Sequence, residues 1–244
     1  HKRMDIIIAN SKEIKKQLVQ TEKIKENKCK VIYNGISINQ KKIPNKNTKL
    51  IKLICVANLL PYKNHAMILK ALSLIPAKYE WNLDLIGNTD GTVFEKLNKV
   101  IKENNLINKV FFHGQQENPD TFLISSDIAL LTSDEEGFSN SILEYLNFSL
   151  PVIATTVGGD SESIRNSING FLVPKGNYKE LSEKIIYLFA DVQKAKVLQR
   201  KVLSVALEDE VPQTEAAVFK LFSTQLHQKL ANQAMDILGR EGLF

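Results

Sequence analysis

The sequence predicts an α/β protein built on a Rossmann-like parallel sheet with helices on both faces, followed by a helical C-terminal tail. Two observations lead there. From residue 50 onward, short β-rich runs alternate with amphipathic stretches, the pattern of crossover helices returning to a parallel sheet. Most of the runs are apolar throughout rather than at every second position, as strands covered on both faces must be. With 244 residues, 43% of them apolar, the chain can fill a sizeable core.

Strands are expected at residues 50–57, 81–86, 109–113, 127–131, 151–155 and 170–173. Between the first two, residues 64–75 place Met67, Ile68, Ala71, Leu72 and Ile75 at helical steps, which predicts one buried stripe. Val93, Leu97, Val100 and Ile101 predict the same over residues 93–104. Gly87, Gly114, Gly137, Gly158 and Gly159 stand at or just past strand ends, where an open parallel sheet binds its ligands.

Residues 1–48 read differently. Ile6, Ile7 and Ile8 predict a strand, Ser11 caps a Lys-rich helix, and residues 31–35 predict a second strand ending in a turn. Such a piece cannot close a domain by itself. Residues 41–49, with Pro44, Asn45 and Asn47, read as a solvated linker. At the far end Val218, Phe222, Leu226 and Leu230 step by four behind Pro212, which predicts a helix.

Composition excludes several classes. The net charge of +5 is mild, and the lysines between Lys12 and Lys30 have no interleaved aromatics, so no nucleic-acid partner is expected. Cys29 and Cys55 lack metal or redox spacing and read as reduced thiols of a cytoplasmic protein. No apolar run approaches the ~18 residues of a membrane span, so any membrane association is expected to be peripheral, on the inner face. His1, His65, His113 and His227 have no metal-ligand spacing; no metal is expected, and His113 reads as a strand-end residue hydrogen-bonded near a pocket. Residues 161–163 read as the cap of a helix.

The residues that could carry chemistry lie in two strand–loop–helix units. In residues 133–146 the chain turns at Gly137 and enters a helix capped by Ser139 or Asn140. Open amides at such a helix start suit a diphosphate, and Glu136 and Glu144 could border the same crevice. The alternative, an acidic loop capping a helix with Glu144 in solvent, stays open. In residues 56–64, Lys63 stands at a helix entrance, where the dipole disfavours a cation unless an anion is bound; a surface lysine is the other reading.

Glu136 and Glu144, with seven residues between them, are followed by residues 150–155 and by Gly158 and Gly159. With Val31–Ile36, Lys63–Asn64, Leu83–Gly87, Val110–Gly114 and Asn169–Val173 in this order, the region from residue 1 to about residue 190 resembles the family 4 retaining glycosyltransferases of GT-B fold. The resemblance implies a donor site for a nucleotide sugar of UDP or GDP type. Lys63 would contact the diphosphate, Glu144 the ribose hydroxyls, and Glu136 the transferred sugar as the catalytic residue. Backbone around Gly137, Phe138 and Ser139, with Leu143 nearby, would line the sugar and phosphate, while Asn58, His113 and Gly114 would complete the donor site. No cofactor or metal is implied. The acceptor would be a glycan or lipid-linked sugar in polysaccharide or lipopolysaccharide assembly.

Three departures qualify that expectation. Ala57-Asn58-Leu59 stands where many relatives carry Gly-Arg-Leu, so a phosphate cation is absent. Residues 1–48 resemble only a remnant of the N-terminal acceptor domain with its linker, which leaves residues 49–190 as the donor domain and the acceptor half missing. Residues 191–244 resemble instead, over about 40 residues, a late helix of acyl-CoA dehydrogenases. Two other functions fit the same resemblance: a sugar-nucleotide-binding module without transferase activity, and a nucleotide-sugar 2-epimerase.

Overall fold

A computed structural model describes residues 5–36, 50–89 and 91–190. The linker expected at residues 41–49 and the helical tail expected beyond residue 190 lie outside those residues.

Two short strands, β1 (Ile7–Ala9) and β2 (Cys29–Val31), pair in parallel and are joined through helix α1 (Lys12–Thr21). Ser11 caps α1 as expected, its side chain accepting from the Ile14 amide. The second strand begins two residues before the expected start at residue 31 and ends there. Cys29 is buried with Ala9 and Ile24, whereas Tyr33 and Asn34 leave the pair to contact residues more than 100 positions away. Ile8 on β1 remains 60% exposed, so this unit buries only one side of its sheet.

The main sheet has six strands: β3 (Ile51–Val56), β4 (Trp81–Ile86), β5 (Val110–Phe112), β6 (Ile128–Leu131), β7 (Val152–Thr155) and β8 (Gly170–Val173). Its order is β5-β4-β3-β6-β7-β8, and every pairing is parallel. The expected strands are present, two of them with the expected bounds and the other four trimmed at their ends. Helices α2 (His65–Leu72), α3 (Thr92–Glu103) and α7 (Tyr178–Ala190) cover one face; α4 (Asp120–Ser125) and α5 (Asn140–Asn147) cover the other, and α6 (Asp160–Ser163) is a single turn. Sequence periodicity did not single out α4, α6 or α7, and a six-residue helix is too short to show a repeat. Side-chain alternation divides the core along β3. Leu53 and Cys55 join Ile68, Leu97 and Ile185 on one face, whereas Ile54 joins Leu123, Ile142 and Tyr145 on the other. Both cysteines are buried and free.

The chain builds outward from β3 to β5, then returns to lay β6 on the other side of β3. That reversal makes the β3/β6 junction the topological switch point. There the ladder ends at Ile54 and Ala129, two residues short of the end of β3. Helix α5 compensates: Val56 donates its amide to the Tyr145 hydroxyl at 2.6 Å, and the Ser141 hydroxyl donates to the Val56 carbonyl at 2.8 Å. The Val56 amide and carbonyl thus both find partners where β6 has left them, and α5 is anchored with its start at the crevice. Tyr145→Phe strands the Val56 amide in the core, with an expected loss of about 1 to 3 kcal/mol. Urea unfolding checks it: a lower midpoint at unchanged slope is expected, and an unchanged midpoint contradicts the role of the hydroxyl.

Among the described residues no helix is long and apolar enough to cross a membrane.

Candidate functional site

The loops after β3 and β6 meet at the carboxyl end of the switch point. The Asp134 amide donates to the Tyr62 carbonyl at 2.6 Å, and the Thr132 hydroxyl to the Asn64 carbonyl at 3.0 Å. Asn64 precedes α2 in the left-handed region and turns its side-chain amide to Asp134 at 3.1 Å instead of capping its own helix. On this frame Lys63 Nζ lies 2.5 Å from Glu136 Oε1, which also accepts from the Ser133 hydroxyl at 2.6 Å. Both side chains are mostly buried, at 17% and 11% exposure, so the pair is shielded from bulk solvent. A cation that the α2 dipole disfavours is thus held by a carboxylate from the opposite loop.

Ser139 caps α5, as one of the two expected caps, and its hydroxyl accepts from the Ile142 amide. Its own amide donates to Asp160 Oδ1 at 3.2 Å, so the Ser139 backbone is already engaged within the protein. Gly137 and Phe138 make no amide hydrogen bond among the described residues. Glu144, one turn further along α5, is half-buried and has no side-chain hydrogen bond or ion pair among the described residues. Burial pushes its carboxyl up, and the charge of Asp120 adds to the effect. Leu143 is half-buried beside it.

The remaining candidates lie along the same end of the sheet. Asn58 accepts from the Asn88 amide at 2.9 Å, and the Gly87 amide donates to the Gly114 carbonyl at 2.9 Å, tying the loops after β3, β4 and β5 together. His113, one residue past β5, bonds Asp84 Oδ1 through Nε2 at 2.7 Å and packs its ring on Phe122. Among the described residues no group of three or more His, Cys, Asp and Glu side chains is placed to hold a metal.

Three features were missed by sequence reasoning. Asp160 is fully buried beneath the site with Oδ2 unpartnered; burial, then the charge of Glu136, pushes its carboxyl up to about 7. His65 is buried, with neither ring nitrogen within full hydrogen-bonding geometry of a partner among the described residues; burial lowers it to about 4, against a weaker opposing pull from the Ala57 backbone. Glu162 lies inside α6 rather than capping it, and its carboxylate instead accepts from Lys12 and Glu13, the first amides of α1. No local pattern marks a cap supplied from 150 residues away.

An open parallel sheet with its loops gathered at a switch point defines a ligand-binding α/β domain. The model of the glycosyl transferases group 1 family matches residues 37–202, and the chain belongs to that family. Its fold is the Rossmann-like sheet of a GT-B glycosyltransferase. The chain is 30% identical over 201 residues to the N-acetylgalactosamine-N,N'-diacetylbacillosaminyl-diphospho-undecaprenol 4-alpha-N-acetylgalactosaminyltransferase of Campylobacter jejuni, covering 81% of this chain and 54% of that protein. To the lipopolysaccharide 1,6-galactosyltransferase of Escherichia coli it is 29% identical over 180 residues, 71% of this chain and 49% of the relative. It thus spans about half the length of the curated relatives it matches. Anabaena HepE, solved with UDP-glucose, is similar at a TM-score of 0.78 and 25% identity, over 90% of this chain and 64% of HepE. The family match continues to residue 202; the resemblance to acyl-CoA dehydrogenases expected of residues 191–244 finds no support in these comparisons, and those residues lie outside the described ones.

Proposed function

We propose that the switch-point crevice holds a nucleoside-diphosphate sugar and that the chain is the donor-binding part of a retaining, family 4-type glycosyltransferase. The observation that carries this reading is the shielded Lys63–Glu136 pair beside the start of α5, with Glu144 one turn away and without a side-chain partner among the described residues. A diphosphate placed there takes over Lys63 and the open amides of Gly137 and Phe138 as partners. These groups stabilise the negative charge that grows on the nucleotide as the glycosidic bond breaks. Glu136, released from Lys63 but still held by Ser133, accepts hydrogen bonds from the sugar and positions it. Glu144 accepts from the ribose hydroxyls, which replaces the donors it lacks. Asn58 turns its oxygen to the Asn88 amide and carries no charge where many relatives have an arginine, so Lys63 supplies the cation of the β3 loop.

In this reading residues 49–190 form the donor domain, residues 1–48 belong to the acceptor side and linker, and residues 191–244 form a tail. The activities of the relatives support a glycan or lipid-linked acceptor in polysaccharide or lipopolysaccharide assembly. The HepE complex favours UDP over GDP as the donor nucleotide. Titrating UDP, GDP and ADP separately into the chain tests the proposal. Binding of UDP or GDP with ADP weaker is expected, and no binding of any of the three overturns it.

A further inference from the structure

The N-terminal unit reaches the site through Tyr33 and Asn34. The Tyr33 ring lies 5.2 Å from that of Phe138, and the Asn34 side-chain amide donates to the Phe138 carbonyl at 3.0 Å. Phe138 is thus gripped at its ring and at its carbonyl by two consecutive residues. Tyr33 is fixed in turn, its hydroxyl donating to Glu162 Oε2 at 2.6 Å. The same carboxylate accepts from the Lys12 and Glu13 amides at 3.2 and 3.1 Å, and a carboxylate at the start of α1 is further favoured by the helix dipole. Contact between the two units is close: a Cβ on Gly159 would sit 2.4 Å from that of Ser11.

Peptide geometry turns this grip into an orientation. In a planar trans peptide the carbonyl and the following amide point in opposite directions. The Phe138 carbonyl faces Asn34, which turns the Ser139 amide toward Asp160. The Gly137 carbonyl accepts from the Gly159 amide at 2.7 Å, which turns the Phe138 amide away from Gly159. Both peptide planes flanking Phe138 are therefore set by partners outside the loop, and the Phe138 amide is the one left open.

We propose that Tyr33 and Asn34, locked by Glu162, are positioning residues: they fix the ring and the carbonyl of Phe138 and, together with the Gly159 amide on the Gly137 carbonyl, hold Phe138 so that its amide can bind the donor diphosphate. The inference rests on the donor-site reading above. It also makes the N-terminal unit part of the donor site.

The test uses the 244-residue chain labelled with nitrogen-15 at phenylalanine, with UDP as the probe, beside Tyr33→Phe, Asn34→Ala, Glu162→Gln and the site variant Lys63→Ala. In the wild type the Phe138 amide resonance is expected to move on UDP addition. The Kd for UDP is expected to rise about threefold to tenfold in Tyr33→Phe and Asn34→Ala, the worth of one hydrogen bond. The Phe138 resonance should be displaced in both variants before UDP is added. A merely structural role would lower the melting temperature and leave the Kd of the folded variant unchanged. If Lys63→Ala weakens UDP while Tyr33→Phe and Asn34→Ala bind as wild type, the positioning role is overturned and the donor site stands. If UDP binds neither wild type nor any variant, the donor site itself fails. Should Glu162→Gln or the other variants fail to fold, the wild-type spectrum still decides, because a Phe138 amide that does not move with saturating UDP contradicts the proposal.

Discussion

Replacing Gly158 with alanine is expected to destabilise the chain by roughly 4 kcal/mol, while Gly176→Ala costs only about 1 to 2 kcal/mol. Both glycines lie in the left-handed region, at φ +50° and +75°, so the backbone penalty for a side chain is shared. Their surroundings differ. A Cβ at Gly176 meets nothing within 4 Å, whereas one at Gly158 would lie 1.7 Å from the Glu136 carbonyl oxygen. That atom belongs to the backbone of the loop carrying Glu136, so no rotamer change relieves the clash. Either the β6 loop moves and the Lys63–Glu136 contact opens, or the domain loses stability. Urea unfolding of the two variants decides: equal, mild losses would show that the loop gives way easily and that the approach at Gly158 constrains nothing.

A second large effect is hidden in the wild type because two buried groups titrate in opposite senses. His65 is held at about 4, below its ordinary 6.5, so the folded state resists its protonation. Its contribution is complete above about pH 6.5 and is lost as pH falls toward 4, at about 1.4 kcal/mol per pH unit. Asp160 behaves inversely, since its carboxyl is raised from 3.8 to about 7 and the folded state keeps the proton. Its contribution is complete below about pH 3.8 and is lost at the same rate as pH rises toward 7. Glu144, also raised, acts in the sense of Asp160. Between about pH 6.5 and about pH 5 the His65 and Asp160 contributions nearly cancel. Asp160→Asn keeps an oxygen for the Ser139 amide but removes the titration, so the cost of charging His65 is unmasked. Over that interval the variant is expected to lose about 2 kcal/mol relative to wild type, measured by urea unfolding at both pH values. A difference that does not change with pH would mean that Asp160 does not hold its proton in the folded chain.

What could be read in the sequence was what local spacing encodes. Residues 81–86 and 170–173 are strands with the expected bounds because their apolar runs end where the ladders end. The caps Ser11 and Ser139 were legible because a cap and the amide it serves lie three residues apart. The proximity of Lys63 to Glu136, 73 residues apart, followed only from knowing that loops gather at the carboxyl end of a parallel sheet. No such rule leads to Asp160 beneath Ser139, or to Tyr33 and Glu162, whose contact spans 129 residues. The first pair arises from the packing of the Gly158–Gly159 turn under α5 and the second from how the N-terminal unit seats on that turn, packing events with no periodic trace. The expected strand at residues 31–35 was misplaced for the same reason: the ladder ends at Val31, and Tyr33 and Asn34 are drawn instead to Glu162 and Phe138.

The proposed donor site places a diphosphate between Lys63 and the start of α5, with the ribose on Glu144. Calorimetric titration of UDP into the wild type, Lys63→Ala and Glu144→Ala measures that arrangement directly. Each substitution removes a charged hydrogen-bond partner and is expected to weaken binding by about 1 to 3 kcal/mol, while Lys63→Ala, which leaves the shielded Glu136 carboxylate without its cation, also lowers the urea midpoint. Wild-type affinity in both variants would place the nucleotide elsewhere and contradict the account.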